Sequence, residues 1–107
     1  MAGRLHHVCV NSVNFEETVC FFQEVFQMEI SHTRGTAPSR KLWFQEGIQV
    51  NEAAHADSAG NLYDHIGIHV DNKEETLAKA RAFGCTILPD KPKWFYTPDG
   101  TLIELME

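Results

Sequence analysis

An internal repeat is the strongest constraint on how this 107-residue chain can fold. The run Leu5-His-His-Val-Cys-Val-Asn-Ser-Val-Asn-Phe-Glu-Glu-Thr-Val19 aligns without a gap on Tyr63-Asp-His-Ile-Gly-Ile-His-Val-Asp-Asn-Lys-Glu-Glu-Thr-Leu77. His7 falls on His65, 58 positions on, Val8 on Ile66, Val10 on Ile68 and Asn14 on Asn72; Glu16-Glu17-Thr18 falls on Glu74-Glu75-Thr76. The ends of the halves also correspond, with Gly47-Ile48-Gln49-Val50 over Leu102-Ile103-Glu104-Leu105. Two half-length modules on one plan follow, and repeats of this kind decide a fold before any single element does.

Each module opens on alternation. His7, Cys9 and Asn11 alternate with Val8 and Val10, and His65, Gly67 and His69 alternate with Ile66, Ile68 and Val70, the period of a strand with one apolar face. A helix follows in each module. Asn14 and Asn72 suit its N-cap, and Glu17 and Glu75 stand three residues on, as in a capping box. The glutamate pairs themselves read as charges that the helix start stabilises. Phe15, Val19, Phe22 and Phe26 fall on one helical face. Gly84 can close the second helix in the left-handed conformation, where the first has Gln27.

Shorter strands are expected over Met28–Thr33, Lys41–Gln45 and Ile48–Asn51, then Thr86–Leu88, Trp94–Thr97 and Thr101–Met106. They are separated by turn chemistry at Arg34-Gly35-Thr36-Ala37-Pro38, Glu46-Gly47, Pro89-Asp90 and Pro98-Asp99-Gly100. The predicted class is α+β: two βαβββ modules forming a cupped, barrel-like mixed sheet with helices outside. One domain spans 1–107, with module one at 1–53, a polar linker at 54–61 and module two at 62–107.

Composition narrows the functional classes. Nine basic residues against fifteen acidic ones give a net charge of −6, and the basic ones are scattered, which argues against nucleic acid. No apolar run has the ~20 residues of a membrane helix, and the start lacks the core of a signal peptide. Cys9, Cys20 and Cys85 are odd in number with no CxxC pair, so reduced thiols in a cytoplasmic protein are expected.

Four polar side chains occupy equivalent places in the repeat: His7 and His65 on the first strands, Gln49 and Glu104 on the last. Glu104 lies between Ile103 and Leu105, where a carboxylate is costly to bury without a partner. Two imidazoles, a carboxylate and an amide oxygen make a borderline-to-hard ligand set, suited to Ni, Co, Zn, Mn or Fe. Cys9, Asn11 and His69 share strand faces with these residues and are candidates for lining a pocket. Trp43, Trp94, Phe95 and Tyr96 could close over an organic substrate or serve as core. His6 is expected on the strand face opposite His7, and His32 and His55 at the surface.

The stretches His7-Val8-Cys9-Val10 through Phe21-Phe22, Asp64-His65-Ile66-Gly67-Ile68-His69-Val70, and Thr97-Pro98-Asp99-Gly100-Thr101-Leu102-Ile103-Glu104-Leu105 resemble the glyoxalase/bleomycin-resistance/dioxygenase (vicinal-oxygen-chelate) superfamily over nearly the whole chain. That resemblance implies one divalent ion held by His7, Gln49, His65 and Glu104. The His/Gln/His/Glu set is similar to that of methylmalonyl-CoA epimerase; glyoxalase I of bacteria more often has Glu where Gln49 stands. It further implies a lyase, isomerase or epimerase that moves a proton through a metal-stabilised enolate, with Glu104 as ligand and base. A homodimer is implied as well. Asn11 replaces the arginine with which glyoxalase I grips glutathione, and the loops are short, so a small dicarbonyl or hydroxy acid is the expected substrate. Two alternatives stand beside it: a non-catalytic small-molecule binding or resistance protein, and an Fe(II) ring-cleaving dioxygenase using His7, His65 and Glu104.

Overall fold

The computed structural model describes residues 2–54 and 63–107, so most of the expected linker, with His55, lies outside the described residues. The elements run β1 (Arg4–Ser12), α1 (Phe15–Phe26), β2 (Ile30–Arg34), β3 (Lys41–Phe44), β4 (Ile48–Glu52), β5 (Tyr63–His69), α2 (Lys73–Phe83), β6 (Thr86–Leu88), β7 (Lys91–Tyr96) and β8 (Leu102–Met106). The order is βαβββ twice, as the repeat predicts. Two compact units result: Val8–Asp64, and Met1–His7 together with His65–Glu107. The first residues of β1 thus belong with the second half of the chain.

In the Val8–Asp64 unit the strands lie in the order β2-β3-β4-β1. β1 and β4 are parallel, with Cys9 opposite Gln49 and Asn11 opposite Asn51. β3 is antiparallel to β4, with Trp43 opposite Gln49 and Lys41 opposite Asn51. The alternation therefore sorts the faces. Leu42, Phe44 and Val50 bury themselves with Phe15 and Val19 of α1, while Cys9, Gln49, Trp43, Asn11, Asn51 and Lys41 take the helix-free face. Burying a side chain such as Val50, which has no exposed surface, contributes about 1.5–3 kcal/mol. The helical stripe ends sooner than its spacing suggests: Phe22 is half-buried, but Phe26 stays 58% exposed.

The other unit repeats the plan in the order β5-β8-β7-β6. β5 and β8 are parallel, with Gly67 opposite Glu104, and β7 is antiparallel to β8, with Trp94 opposite Glu104. Leu77 and Ala80 of α2 pack against Phe95 and Leu105. Phe95 is thus core, whereas Trp94 and Glu104 face the other way.

The two helix starts differ in detail. Asn72 caps α2 as expected, its side chain accepting from the Glu75 N–H at 3.0 Å. Asn14 makes no such bond. Ser12 intervenes instead: its Oγ accepts from the Asn14 N–H and pairs with Thr18 Oγ1. At the helix ends, Gly84 (φ 106°) and Gln27 (φ 56°) both adopt the left-handed conformation. Only glycine does so without a steric penalty. Among the described residues no helix is long and apolar enough to cross a membrane.

Candidate metal centre

His7 and His65 are buried, and Glu104 keeps 13% of its side chain exposed. Their ring and carboxylate atoms converge. His7 Nε2 lies 2.9 Å from His65 Nε2, and Glu104 Oε1 lies 3.3 Å from each of those nitrogens. An ion bonded to imidazole nitrogen at about 2.0–2.1 Å and to carboxylate oxygen at about 2.0–2.2 Å sets neighbouring ligand atoms about 2.9–3.5 Å apart. The trio has that spacing. Two borderline nitrogens and one hard oxygen, all from one compact unit, fit Zn, Co, Ni, Mn or Fe.

Register explains why these three meet. β5 and β8 are paired so that Glu104 emerges beside Gly67, one residue pair along from His65 on the same face. Gly67 has no side chain because the His7 ring occupies that space. A Cβ built there would overlap Cε1 and Nδ1 of His7 and stand 3.0 Å from Nε2. The hollow over Gly67 is therefore a seat for one imidazole. Trp94 closes the opposite flank, its ring edge-to-face with His65 at 4.6 Å.

The electrostatics favour a ligand carboxylate. Burial opposes ionisation of Glu104, but hydrogen bonds from His65, His7 and Lys93 outweigh it and hold the carboxyl far below the usual carboxylate range. Lys93, 46% exposed on β7, reaches Oε2 at 3.0 Å. The two oxygens of Glu104 are thus divided, Oε1 to the histidines and Oε2 to Lys93. Neither Lys93 nor Gly67 is among the residues that sequence reasoning singled out.

The fourth expected ligand, Gln49, is buried in the Val8–Asp64 unit, where its Nε2 donates to Asn51 Oδ1 at 2.9 Å. That bond orients the carboxamide and leaves Oε1 as the atom it can offer. In the same unit Cys9 is fully buried, Asn11 donates to Asp64 Oδ1 at 3.3 Å, and Trp43 stacks on exposed His32 at 4.3 Å. In the other unit Tyr96 is 40% exposed. The His69 ring lies 6.3 Å from that of His6, with a buried Nδ1 that finds no hydrogen-bond partner among the described residues.

His6 departs from expectation. Strand alternation puts it opposite His7, yet its Nδ1 lies 2.8 Å from His7 Nδ1. Burial, then His7 and His69, push its pKa below the ordinary histidine value, against a pull from Glu104.

No protein-family model matches the sequence, and no curated protein does. Solved structures do match. A methylmalonyl-CoA epimerase in complex with methylmalonyl-CoA and NH4+ superposes with a TM-score of 0.74 at 21% identity, covering 98% of this chain and 94% of that one. The Streptomyces coelicolor methylmalonyl-CoA epimerase in complex with 2-nitronate-propionyl-CoA gives 0.72 at 21%, covering 95% and 92%. A hypothetical protein from Bacillus halodurans gives 0.78 at 15%, covering 98% and 94%. At these identities the likeness carries the fold. The chain has the two-module α+β fold of these epimerases.

Proposed function

We propose that this protein is a divalent-metal-dependent isomerase or epimerase that moves a proton next to a carbonyl group. The observation that supports it is the convergence of His7 Nε2, His65 Nε2 and Glu104 Oε1 within 3.3 Å of one another. His7, His65 and Glu104 would hold the ion, and Gln49 is the candidate fourth ligand. When bound, the ion supplies Lewis acidity toward a carbonyl oxygen and so acidifies the neighbouring C–H bond.

The remaining work falls to the side chains. Glu104 is the carboxylate of the trio and the candidate to take and return the proton, through Oε2. Its depressed pKa keeps it ionised and ready to accept, but also makes it a weak base, so it suits only a strongly acidified C–H bond. Gln49 cannot act as a base, which leaves one carboxylate to serve. Lys93 holds the second oxygen of Glu104 and puts a cation at the edge of the site. Small oxygen-rich acids, and thioesters such as the methylmalonyl-CoA bound by one of the structural neighbours, are the substrates to try.

Hydrogen–deuterium exchange in D2O tests this without knowledge of the product. Metal-loaded protein should wash deuterium into the carbon next to the carbonyl of methylmalonyl-CoA or of a small 2-hydroxy-carbonyl compound. Glu104→Gln should abolish the exchange while the fold persists. Exchange that survives in Glu104→Gln would remove Glu104 from the role.

The same trio supports a second reading, since two histidines and one carboxylate also form the facial site of Fe(II) oxygenases. Oxygen consumption with ferrous iron and a catechol would favour it over proton transfer.

A further inference from the structure

We propose that His6 is a positioning residue that accepts the Nδ1 proton of His7 when Nε2 of His7 turns to a metal ion. This rests on the reading of the trio as ligands and adds the group that prepares one of them. The Nδ1 atoms of His6 and His7 are 2.8 Å apart, with the rings edge-to-face at 82°. At that separation the contact is an N–H···N hydrogen bond, and a single proton lies between the two nitrogens.

Two assignments are open, and they have opposite consequences. In the first, His7 Nδ1–H donates to His6 Nδ1. Nε2 of His7 then carries a lone pair directed at His65 Nε2 and Glu104 Oε1, as a ligand must. His6 holds its own proton on Nε2 and is uncharged. In the second, His6 Nδ1–H donates to His7 Nδ1, which moves the proton of neutral His7 onto Nε2. That proton would stand 2.9 Å from His65 Nε2 and 3.3 Å from Glu104 Oε1, in the middle of the ligand triangle. Metal binding selects the first assignment, because an imidazole ligates through its unprotonated nitrogen and hydrogen-bonds through the other.

The placement of His6 supports this role over simple packing. It belongs to neither hydrophobic core and is exposed, whereas the ring it touches is buried. Truncating it should leave the fold intact and change only what His7 Nδ1 donates to. The side-chain oxygen of asparagine occupies nearly the place of histidine Nδ1 and accepts a hydrogen bond, so His6→Asn should restore the contact. His6→Leu cannot.

The test uses Co(II) affinity by chelator competition on the full chain, alongside 1H–15N spectra of the Zn(II)-loaded protein, which show whether the His7 Nδ1–H is hydrogen-bonded. Losing such a partner lowers metal affinity by roughly 10–100-fold, and that is the expected result for His6→Leu. The His7 Nδ1–H of the Zn(II)-loaded protein should lose its hydrogen-bonded downfield shift, while the metal-free Tm stays at the wild-type value. His6→Asn should recover wild-type affinity and the downfield shift. Wild-type Co(II) affinity in His6→Leu, or no recovery in His6→Asn, would overturn the role of His6 and leave the metal site standing. If wild-type protein binds no Co(II), the metal reading and the role of His6 fall together.

Discussion

Gly67→Ala is the sharpest perturbation of the site, because it adds a single methyl group where the His7 ring already sits. The added carbon would overlap Cε1 and Nδ1 and stand 3.0 Å from Nε2, where ordinary contact begins at 3.4 Å. Relief requires the ring to move by about an ångström, whereas metal–ligand distances tolerate only about 0.2 Å. His7 has little room to yield: it is 4% exposed and holds His65 on one side and His6 on the other. Overpacking of this kind destabilises by about 1–3 kcal/mol, offset by the ~0.4–1 kcal/mol that alanine contributes through a less flexible unfolded chain. The net loss in Tm should therefore be modest. Metal affinity should fall at least ~100-fold, which is about 2.7 kcal/mol. Thermal melts of the metal-free protein and Co(II) competition titrations read the two effects separately. Wild-type Co(II) affinity in Gly67→Ala would refute the seat described for His7.

Other consequences are independent of the metal. Gln27→Gly removes a non-glycine residue from a left-handed helix end and should stabilise the fold by up to about 1 kcal/mol, read by urea unfolding. Glu52 is held at a pKa of about 2 by hydrogen bonds from Arg40, against the opposing effect of burial. A carboxyl with a depressed folded-state pKa contributes stability that is full above its unfolded value, ~4.3, and fades as pH falls toward the folded value. Arg40→Met should therefore be less stable than wild type at pH 7, and the gap should close between about pH 4.5 and 2. A gap of constant size across urea titrations at both ends of that range would rule out the linkage.

Much of this was legible in the chain because the repeat carries long-range information. Aligning His7 with His65, and Gln49 with Glu104, assigns four residues to equivalent strand positions and to one expected site; the structure brings His7, His65 and Glu104 together in one compact unit. Gln49 rested on its place in the repeat alone, and its amide is engaged by Asn51. What escaped depends on side-chain conformation across elements. Lys93 is one lysine among scattered basic residues until β7 pairs with β8 and its chain reaches Glu104. Gly67 looked like a residue within an apolar alternation; only the packed His7 ring shows why it lacks a Cβ. Alternation puts His6 on the face opposite His7, and the contact between their Nδ1 atoms is a side-chain feature that strand period does not reveal. Asn14 matches the cap pattern, yet its side chain makes no cap bond, and Ser12 Oγ accepts from the Asn14 N–H instead.

The central claim is that His7, His65 and Glu104 form a metal site, and calorimetric titration of chelator-stripped protein with Co(II) tests it most directly. The expected result is one saturable site per chain, lost in His65→Ala although that variant still folds. Absence of saturable binding in the wild type, or an unchanged isotherm in His65→Ala, would contradict it.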